Sequence, residues 1–174
     1  MLYAQGRAPL LVSAKAADAH YPLLGKLQWQ SQPSAPVQLG GTGPQPGQVW
    51  LEARAMAQAG LQVGDAIELG DGQFHISAVL LAEPDRAAGF SGLGPRLLMH
   101  WDDIDKTGVV QPGSRITYRY LFSGPATVLA QLDAHFQPLI TDNQRWLDLH
   151  SAQPRMGSAL DKAQQFLLLA SAMV

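Results

Sequence analysis

Residues 60–81 read GLQVGDAIELGDGQFHISAVLL, and this stretch decides how the middle of the chain folds. Apolar and polar residues alternate from Ile67 to Leu69 and again from Phe74 to Ser77. This period of two is typical of strands that have one buried face. Asp71-Gly72 lies between the two runs, and Asp-Gly is a preferred pair for a two-residue type I′ turn. The stretch therefore predicts a β-hairpin.

The same glycines and aspartates could also belong to a ligand-binding loop. A phosphate loop places its glycines between a strand and a helix, so that the helix N-terminal amides face the anion, and it usually carries a lysine. Here a second strand follows the glycines and no lysine is near. The sequence favours a structural turn.

Short strands and helices are predicted on both sides of this hairpin. The strands are a hairpin within Tyr3–Lys15, Val49–Leu51, Arg96–His100, Arg115–Phe122 and Arg145–Leu149; the helices are Glu52–Ala59, closed by Gly60, then Ala126–Gln137, and one from about Met156 to the end. The segment WDDIDKTG is predicted to be a turn or short helix. Residues 31–48 are rich in proline and glycine, which predicts a linker or a long exposed loop.

The composition excludes several classes of function. The chain has 174 residues, with 47% hydrophobic and 15% charged residues, as expected for a packed soluble core. Its formal net charge is −2 and its basic residues are scattered, so nucleic acid is not an expected partner. The absence of cysteine excludes disulfides, thiol nucleophiles and zinc-thiolate sites.

One short motif has the residue types of an active site. Asp103 and Asp105 fit the D-x-D-x-[TV] pattern of haloacid-dehalogenase phosphatases, in which one Asp is the nucleophile and the next the general acid. With Gly108 the segment also matches half of an EF-hand loop, but the twelfth position is Ser114 instead of a bidentate Glu. We interpret these carboxylates as caps of a turn, and we predict no catalytic, cofactor-binding or metal-binding residue.

Two apolar residues, Phe90 and Leu93, lie in a glycine-flanked loop. They are either a contact site for a partner or side chains that fold back on the core, and the sequence alone favours neither.

Four long stretches resemble a known family. They are KAADAHYPLLGKL (15–27), VWLEARAMAQAGLQVGDAIELGDGQFHISAVLLAEPD (49–85), PRLLMHWDDIDKTGVVQPGSRITYRYLF (95–122) and AQQFLLLASAMV (163–174). In this order they are similar to the periplasmic region of YbbP-type ABC transporter permeases, in the FtsX/MacB-like superfamily.

The resemblance implies a fold and a division into domains. The expected fold class is α+β, with an incomplete porter-like α/β part and an inserted, mainly β subdomain, as in a MacB-like periplasmic core. Residues 1–30 and 96–155 would form the porter-like part, 31–48 a linker, and 49–95 the insertion. Residues 156–174 would be a helix leading into a truncated transmembrane helix, which accords with the apolar run that starts at Phe166.

The resemblance also implies a role and partners. The domain would lie in the periplasm at the bacterial inner membrane and carry no catalytic motif or cofactor. It would transmit ATP-driven change from the membrane helices, for export or extraction of lipid-like or hydrophobic molecules. A cytoplasmic ABC ATPase subunit, a second permease copy and a periplasmic lysophospholipase-type esterase are the expected partners. Two alternatives stay open: a soluble binding module, and a phosphatase-like enzyme that uses Asp103 and Asp105.

Overall fold

The computed structural model describes residues 1–85 and 94–147. These residues form a mixed α/β structure with one curled sheet and few helices. The described strands are β1 (Leu2–Tyr3), β2 (Ser13–Ala17), β3 (Gln28–Gln30), β4 (Gln38–Leu39), β5 (Gln48–Glu52), β6 (Ala66–Leu69), β7 (Gly72–Ala82) and β8 (Arg96–His100). The described helices are α1 (Ala53–Ala59), α2 (Ala126–Phe136) and the 3₁₀ segments Trp101–Asp103, Asp105–Thr107 and Gln137–Leu139.

The sheet is mixed, with the strand order β1-β6-β7-β5-β8-β2. β5 pairs in parallel with β7 and β2 in parallel with β8, whereas the other neighbours are antiparallel. The long strand β7 also pairs with β3, which in turn pairs with β4. Strands from both ends of residues 2–100 therefore join one sheet.

The central strands are buried on both faces. In β5, Val49 and Leu51 belong to one apolar cluster and Trp50 to the other, which explains the uninterrupted apolar run at these positions. A register shift between Val49 and Trp50 leaves Ser77 of β7 opposite no residue. This bulge changes the face on which the apolar residues of β7 lie. The largest fully buried side chains are Phe74, Leu2, Leu27, Leu51, Ile67, Ile76, Leu80, Leu97 and Leu98.

Helix α1 covers one face of the sheet and ends as predicted. Ala55 and Met56 are buried in the larger cluster. Gly60 takes the left-handed conformation, with a φ of 62°, and its N–H bonds back to the helix. Glycine adopts this conformation without the steric cost that a Cβ would bring.

The central hairpin is confirmed, but its turn lies one residue earlier than predicted. Leu69 of β6 pairs with Gly72 of β7, so the two loop residues are Gly70 and Asp71. The positive φ of 61° falls on Gly70, the first loop residue, which fits a type II′ turn instead of type I′. Asp71-Gly72 was predicted as the turn because the preference of Asp-Gly for type I′ turns considers only the two residues themselves.

The predicted hairpin within Tyr3–Lys15 is wrong in its second arm. Leu2 and Leu10 exchange two backbone hydrogen bonds, of 2.8 and 2.9 Å. Beyond this bridge the chain does not continue to pair with the first arm, and β2 pairs in parallel with β8 instead. A long-range partner has replaced the local one that alternation suggested.

The expected linker at 31–48 is partly packed. β4 lies within it and pairs with β3, and Pro44 is buried. The expected boundary near residue 95 is not a break in the sheet, because β8 follows it and pairs with β5. The view of 49–95 as an insertion into a porter-like part stays a prediction.

The predicted strand Arg115–Phe122 is not present. Its backbone forms no regular structure, and these side chains are exposed. Residues 145–147 likewise form no strand, and 148–149 lie outside the described residues. Helix α2 is confirmed, but none of its residues is buried. The predicted helix from Met156 lies outside the described residues.

Contacts divide the chain into two compact units, Met1–Leu121 and Phe122–Val174. In the second unit, the rings of Phe122, Phe136 and Trp146 pack together, with centroids 5.8 to 6.2 Å apart. No helix in the described ranges is both long enough and apolar enough to cross a bilayer.

Candidate functional site

The two stretches that the sequence singled out meet in the structure. The turn of the central hairpin packs on the second 3₁₀ segment, where the N–H of Asp71 donates to the carbonyl of Thr107 over 2.9 Å. Thr107 is buried, and its hydroxyl donates to the carbonyl of Ile104 over 2.6 Å. The hairpin turn and the DIDKTG turn therefore hold each other in place.

Asp103 has a structural environment. Its side chain is fully buried, with Oδ1 2.6 Å from Lys106 Nζ, and Oδ2 accepts the backbone N–H of Gly47 at 2.6 Å. Both oxygens are therefore occupied by partners within the fold. A nucleophilic carboxylate must be free to approach its substrate, so this geometry favours a structural role. The amide that Asp103 binds belongs to Gly47, 56 residues away, whereas a cap within its own turn was predicted.

Asp105 lies apart from this arrangement. It is exposed, at the start of the 3₁₀ segment Asp105–Thr107, with no side-chain hydrogen bond among the described residues. Asp103 is buried and Asp105 is exposed, so the two carboxylates have different environments. Within residues 1–85 and 94–147, no three His, Asp or Glu side chains are grouped so that they could hold a metal ion. Phe90 and Leu93 lie outside the described residues.

A cluster of charged side chains at one end of the sheet was not predicted. It comprises Lys15 of β2, Tyr21 of the following loop, Glu83 and Asp85 after β7, and Arg96 of β8. Lys15 Nζ lies 2.6 Å from Asp85 Oδ2 and 3.4 Å from Glu83 Oε1. Arg96 Nη1 donates to Glu83 Oε2 over 2.5 Å. We call these five residues the ionic cluster.

The ionic cluster joins segments that are far apart in the sequence. The side chain of Glu83 is only 3% exposed, and it is held by a cation from β2 and a cation from β8. The backbone N–H of Arg96 donates to Glu52 Oε2 at the end of β5 over 2.9 Å. The cluster thus ties together β2, β5, β7 and β8. A buried carboxylate such as that of Glu83 would be costly without these partners.

The phenol of Tyr21 is the neutral member of the ionic cluster. Its O–H donates to Asp85 Oδ1 over 2.5 Å, and its oxygen accepts from Lys15 Nζ at 2.7 Å. Burial raises the pKa of Tyr21 far above its usual value, and the bond to Asp85 raises this pKa further. Burial alone would raise the pKa of Asp85, but bonds from Lys15 and Tyr21 hold it below the usual value.

The space beside the ionic cluster is too small for a substrate. The cavity lined by Glu52, Glu83 and Arg96 has a volume of about 10 Å³. Such a volume admits at most about one water molecule. The cluster therefore acts on the fold, where it fixes strand ends. Sequence reasoning missed it because no spacing rule links Lys15 with Asp85; the only signal was the acidic pair that ends the apolar run of β7.

The comparisons with known proteins relate the chain to part of a transporter permease. No family model and no solved structure matches the chain. An uncharacterized ABC transporter permease, YbbP, from Escherichia coli strain K12 is 38% identical over 166 residues, which are 95% of this chain. The chain spans 20% of the length of that permease. The chain is therefore similar, over nearly its whole length, to one fifth of an ABC transporter permease, and the YbbP-type resemblance expected from the sequence is confirmed.

Proposed function

We propose that this chain is a non-catalytic periplasmic domain of an ABC transporter permease in the bacterial inner membrane. In this proposal it transmits conformational change, driven by ATP on the cytoplasmic side, from the membrane helices into the periplasm. The observation that carries the proposal is the 38% identity to the permease YbbP over 95% of the chain. The fold assignment that goes with it is a MacB-like core with a porter-like part and an insertion at 49–95.

Transmission of movement requires a stiff body, because a soft domain would absorb the displacement of the helices. Packed protein interiors transmit strain. Strands from residues 2–100 share one sheet here, and the central strands β5 and β8 are buried on both faces. The ionic cluster adds cross-links between strand ends. These features support a rigid role for this part of the chain.

The proposal includes three partners and a class of substrate. The partners are a cytoplasmic ABC ATPase subunit, reached through the membrane part of the permease, a second permease copy, and a periplasmic lysophospholipase-type esterase. The substrates are lipid-like or hydrophobic molecules, to be exported or extracted from the membrane. Phe90 and Leu93 are the proposed contact with the periplasmic partner.

Spin-label distances in the full permease–ATPase complex test the transmission. This chain has no cysteine, so pairs introduced at Gln38 and Glu68, both exposed, can be labelled in a complex freed of other cysteines. We expect the Gln38–Glu68 distance within one domain to stay the same with and without ATP. The distance between the Glu68 labels of two copies should change.

A catalytically inactive ATPase provides the control, since it should abolish the change between copies. A Gln38–Glu68 distance that shifts with ATP, while the distance between copies stays fixed, would contradict transmission by a rigid domain.

Retention of the periplasmic partner tests the loop contact. Phe90→Ser with Leu93→Ser should lose the esterase from the purified complex, because both changes remove apolar contact area. Leu24→Ser is a matched control, since Leu24 is 69% exposed outside that loop. Equal retention by both variants would remove Phe90 and Leu93 from the interface.

A further inference from the structure

A hollow of about 290 Å³ lies beside the first 3₁₀ segment. Its lining residues are Trp101, Asp102, Ile104, Asp105, Val110 and Tyr118. They provide two aromatic rings, two aliphatic side chains and two carboxylates, and no basic residue is among them. The hollow is far larger than the cavity beside the ionic cluster and can admit a small organic group.

The aromatic rings form two walls of the hollow. The ring centroids of Trp101 and Tyr118 are 6.2 Å apart and the ring planes meet at 65°, so the rings make a corner instead of a stack. Trp101 is 45% exposed and Tyr118 is 51% exposed, so both are accessible to a ligand. The faces of such rings attract cations, and tryptophan does so most strongly.

The carboxylates give the hollow a negative charge. Neither Asp102 nor Asp105 forms an ion pair with a lysine or arginine of the described residues. The nearest ionisable partner of Asp102 is His100, whose Nδ1 lies 3.6 Å from Asp102 Oδ2. Lys106, the adjacent cation, is bound to the buried Asp103.

We propose that this hollow binds an organic ammonium group, either a quaternary ammonium or a primary amine. The rings of Trp101 and Tyr118 contact the cation, Asp102 and Asp105 balance its charge, and Ile104 and Val110 contact its carbon atoms. A calcium ion would need six or more oxygen ligands, which two carboxylates do not provide. This inference is independent of the proposed transport function, because it rests on the geometry of the hollow alone.

A titration with choline, followed by backbone amide NMR shifts of Asp102 and Ile104, tests the site. The control ligand is 3,3-dimethylbutan-1-ol, which has the shape of choline without its charge. We expect saturable millimolar binding of choline and no saturation with the neutral alcohol, because a cation–π contact at an exposed site is weak. Free ethanolamine tests the primary amine.

Substitutions separate the contribution of the carboxylates to binding from that of the aromatic ring. Asp102→Asn combined with Asp105→Asn keeps the shape and should weaken choline binding about fivefold, from the loss of two exposed charges. Tyr118→Leu should weaken it about threefold, whereas Tyr118→Phe keeps a ring and should stay within about twofold. Tyr120→Leu is a matched control on the same segment, outside the hollow, and should have no effect.

Micelles distinguish the source of the ammonium group. Tighter binding to lysophosphatidylcholine micelles than to free choline, with none to lysophosphatidylglycerol, assigns a lipid head group. Equal affinity for free choline and for the choline micelles assigns a soluble amine. The proposal is overturned if choline and ethanolamine fail to saturate below about 100 mM, if the neutral alcohol binds equally well, or if the Asn variants bind choline like the parent chain.

Discussion

Two stretches with similar strand-forming residues have different structures in this molecule. Residues 96–100, RLLMH, form β8 between β5 and β2, and its middle residues are buried. Residues 115–122, RITYRYLF, have more β-branched and aromatic residues but form no strand, and all of them are exposed. From Gly108 to residue 147, none of the described residues is buried. The difference shows that strand propensity reports how well side chains fit a neighbouring strand, and 115–122 has no such neighbour among the described residues.

Truncation of one phenylalanine in each region should give the largest contrast. Phe74→Ala removes a fully buried ring from the core and should lower the free energy of unfolding by about 4 kcal/mol. Phe136→Ala in α2 removes a partly exposed ring that stacks on Trp146 and should cost about 1 kcal/mol. Urea unfolding followed by tryptophan fluorescence measures both values. Equal losses would mean that the two regions are equally well packed.

The sequence predicts elements whose local pattern is not overridden by a long-range partner. The central hairpin, α1 with its Gly60 cap, and α2 all follow from periodicity and end signals. The second arm of the Tyr3–Lys15 hairpin was wrong because β2 lies beside β8, about 80 residues away in the chain, and no local rule contains that pairing.

The candidate sites also contain contacts that local sequence patterns do not predict. Asp103 was found by its motif, but its bond to the N–H of Gly47, 56 residues away, was not predicted, because turn chemistry considers only neighbouring residues. The ionic cluster is built from residues that only the fold brings together, and the hollow depends on how the chain folds back between Trp101 and Tyr118. Single residues such as Lys15 or Tyr118 carry no signal of these contacts in the sequence.

Substitution of one glycine in each region should give a smaller difference in stability. A Cβ at Gly70 would lie 2.0 Å from the backbone oxygen of Thr107, and this residue also has a φ of 61°. Gly70→Ala should therefore cost about 3 kcal/mol, from strain and from separation of the two turns. Gly113 has a φ of 90° with nothing within 4 Å of the same position, so Gly113→Ala should cost only about 1 kcal/mol. The urea midpoints of the two variants measure these losses. If Gly113→Ala lowers the free energy of unfolding as much as Gly70→Ala does, backbone strain alone sets both values.

Tyr21→Phe and Tyr120→Phe should differ least at neutral pH, but they should differ in how stability depends on pH. Tyr21→Phe removes the O–H that donates to Asp85 and should lower the free energy of unfolding by about 1 kcal/mol at pH 7. Tyr120 is 79% exposed and has no side-chain hydrogen bond among the described residues, so Tyr120→Phe should have no measurable effect.

The pH dependence of stability at alkaline pH follows from the raised pKa of Tyr21. Below pH 10 the phenol is neutral in the folded and unfolded chains, and its contribution to stability is complete. Above pH 10 the unfolded chain loses this proton while the folded chain keeps it, so the unfolding free energy of the parent protein should fall. Tyr21→Phe lacks this group, and the difference between the two proteins should therefore shrink as the pH rises above 10.

At acid pH the dependence of stability on pH has the opposite sign, because the pKa of Asp85 is lowered from 3.8. Its contribution is present above that value and is lost as the pH falls below it, since the unfolded chain takes up the proton first. Tyr21→Phe removes one of the bonds that lower this pKa, so the loss of stability in acid should be less steep in the variant than in the parent. Urea unfolding series at pH 3, 7 and 10.5 measure both limbs. A constant difference between the parent and Tyr21→Phe across all three pH values would mean that the phenol does not share a proton equilibrium with the ionic cluster, and that the cluster is held by Lys15 and Arg96 alone.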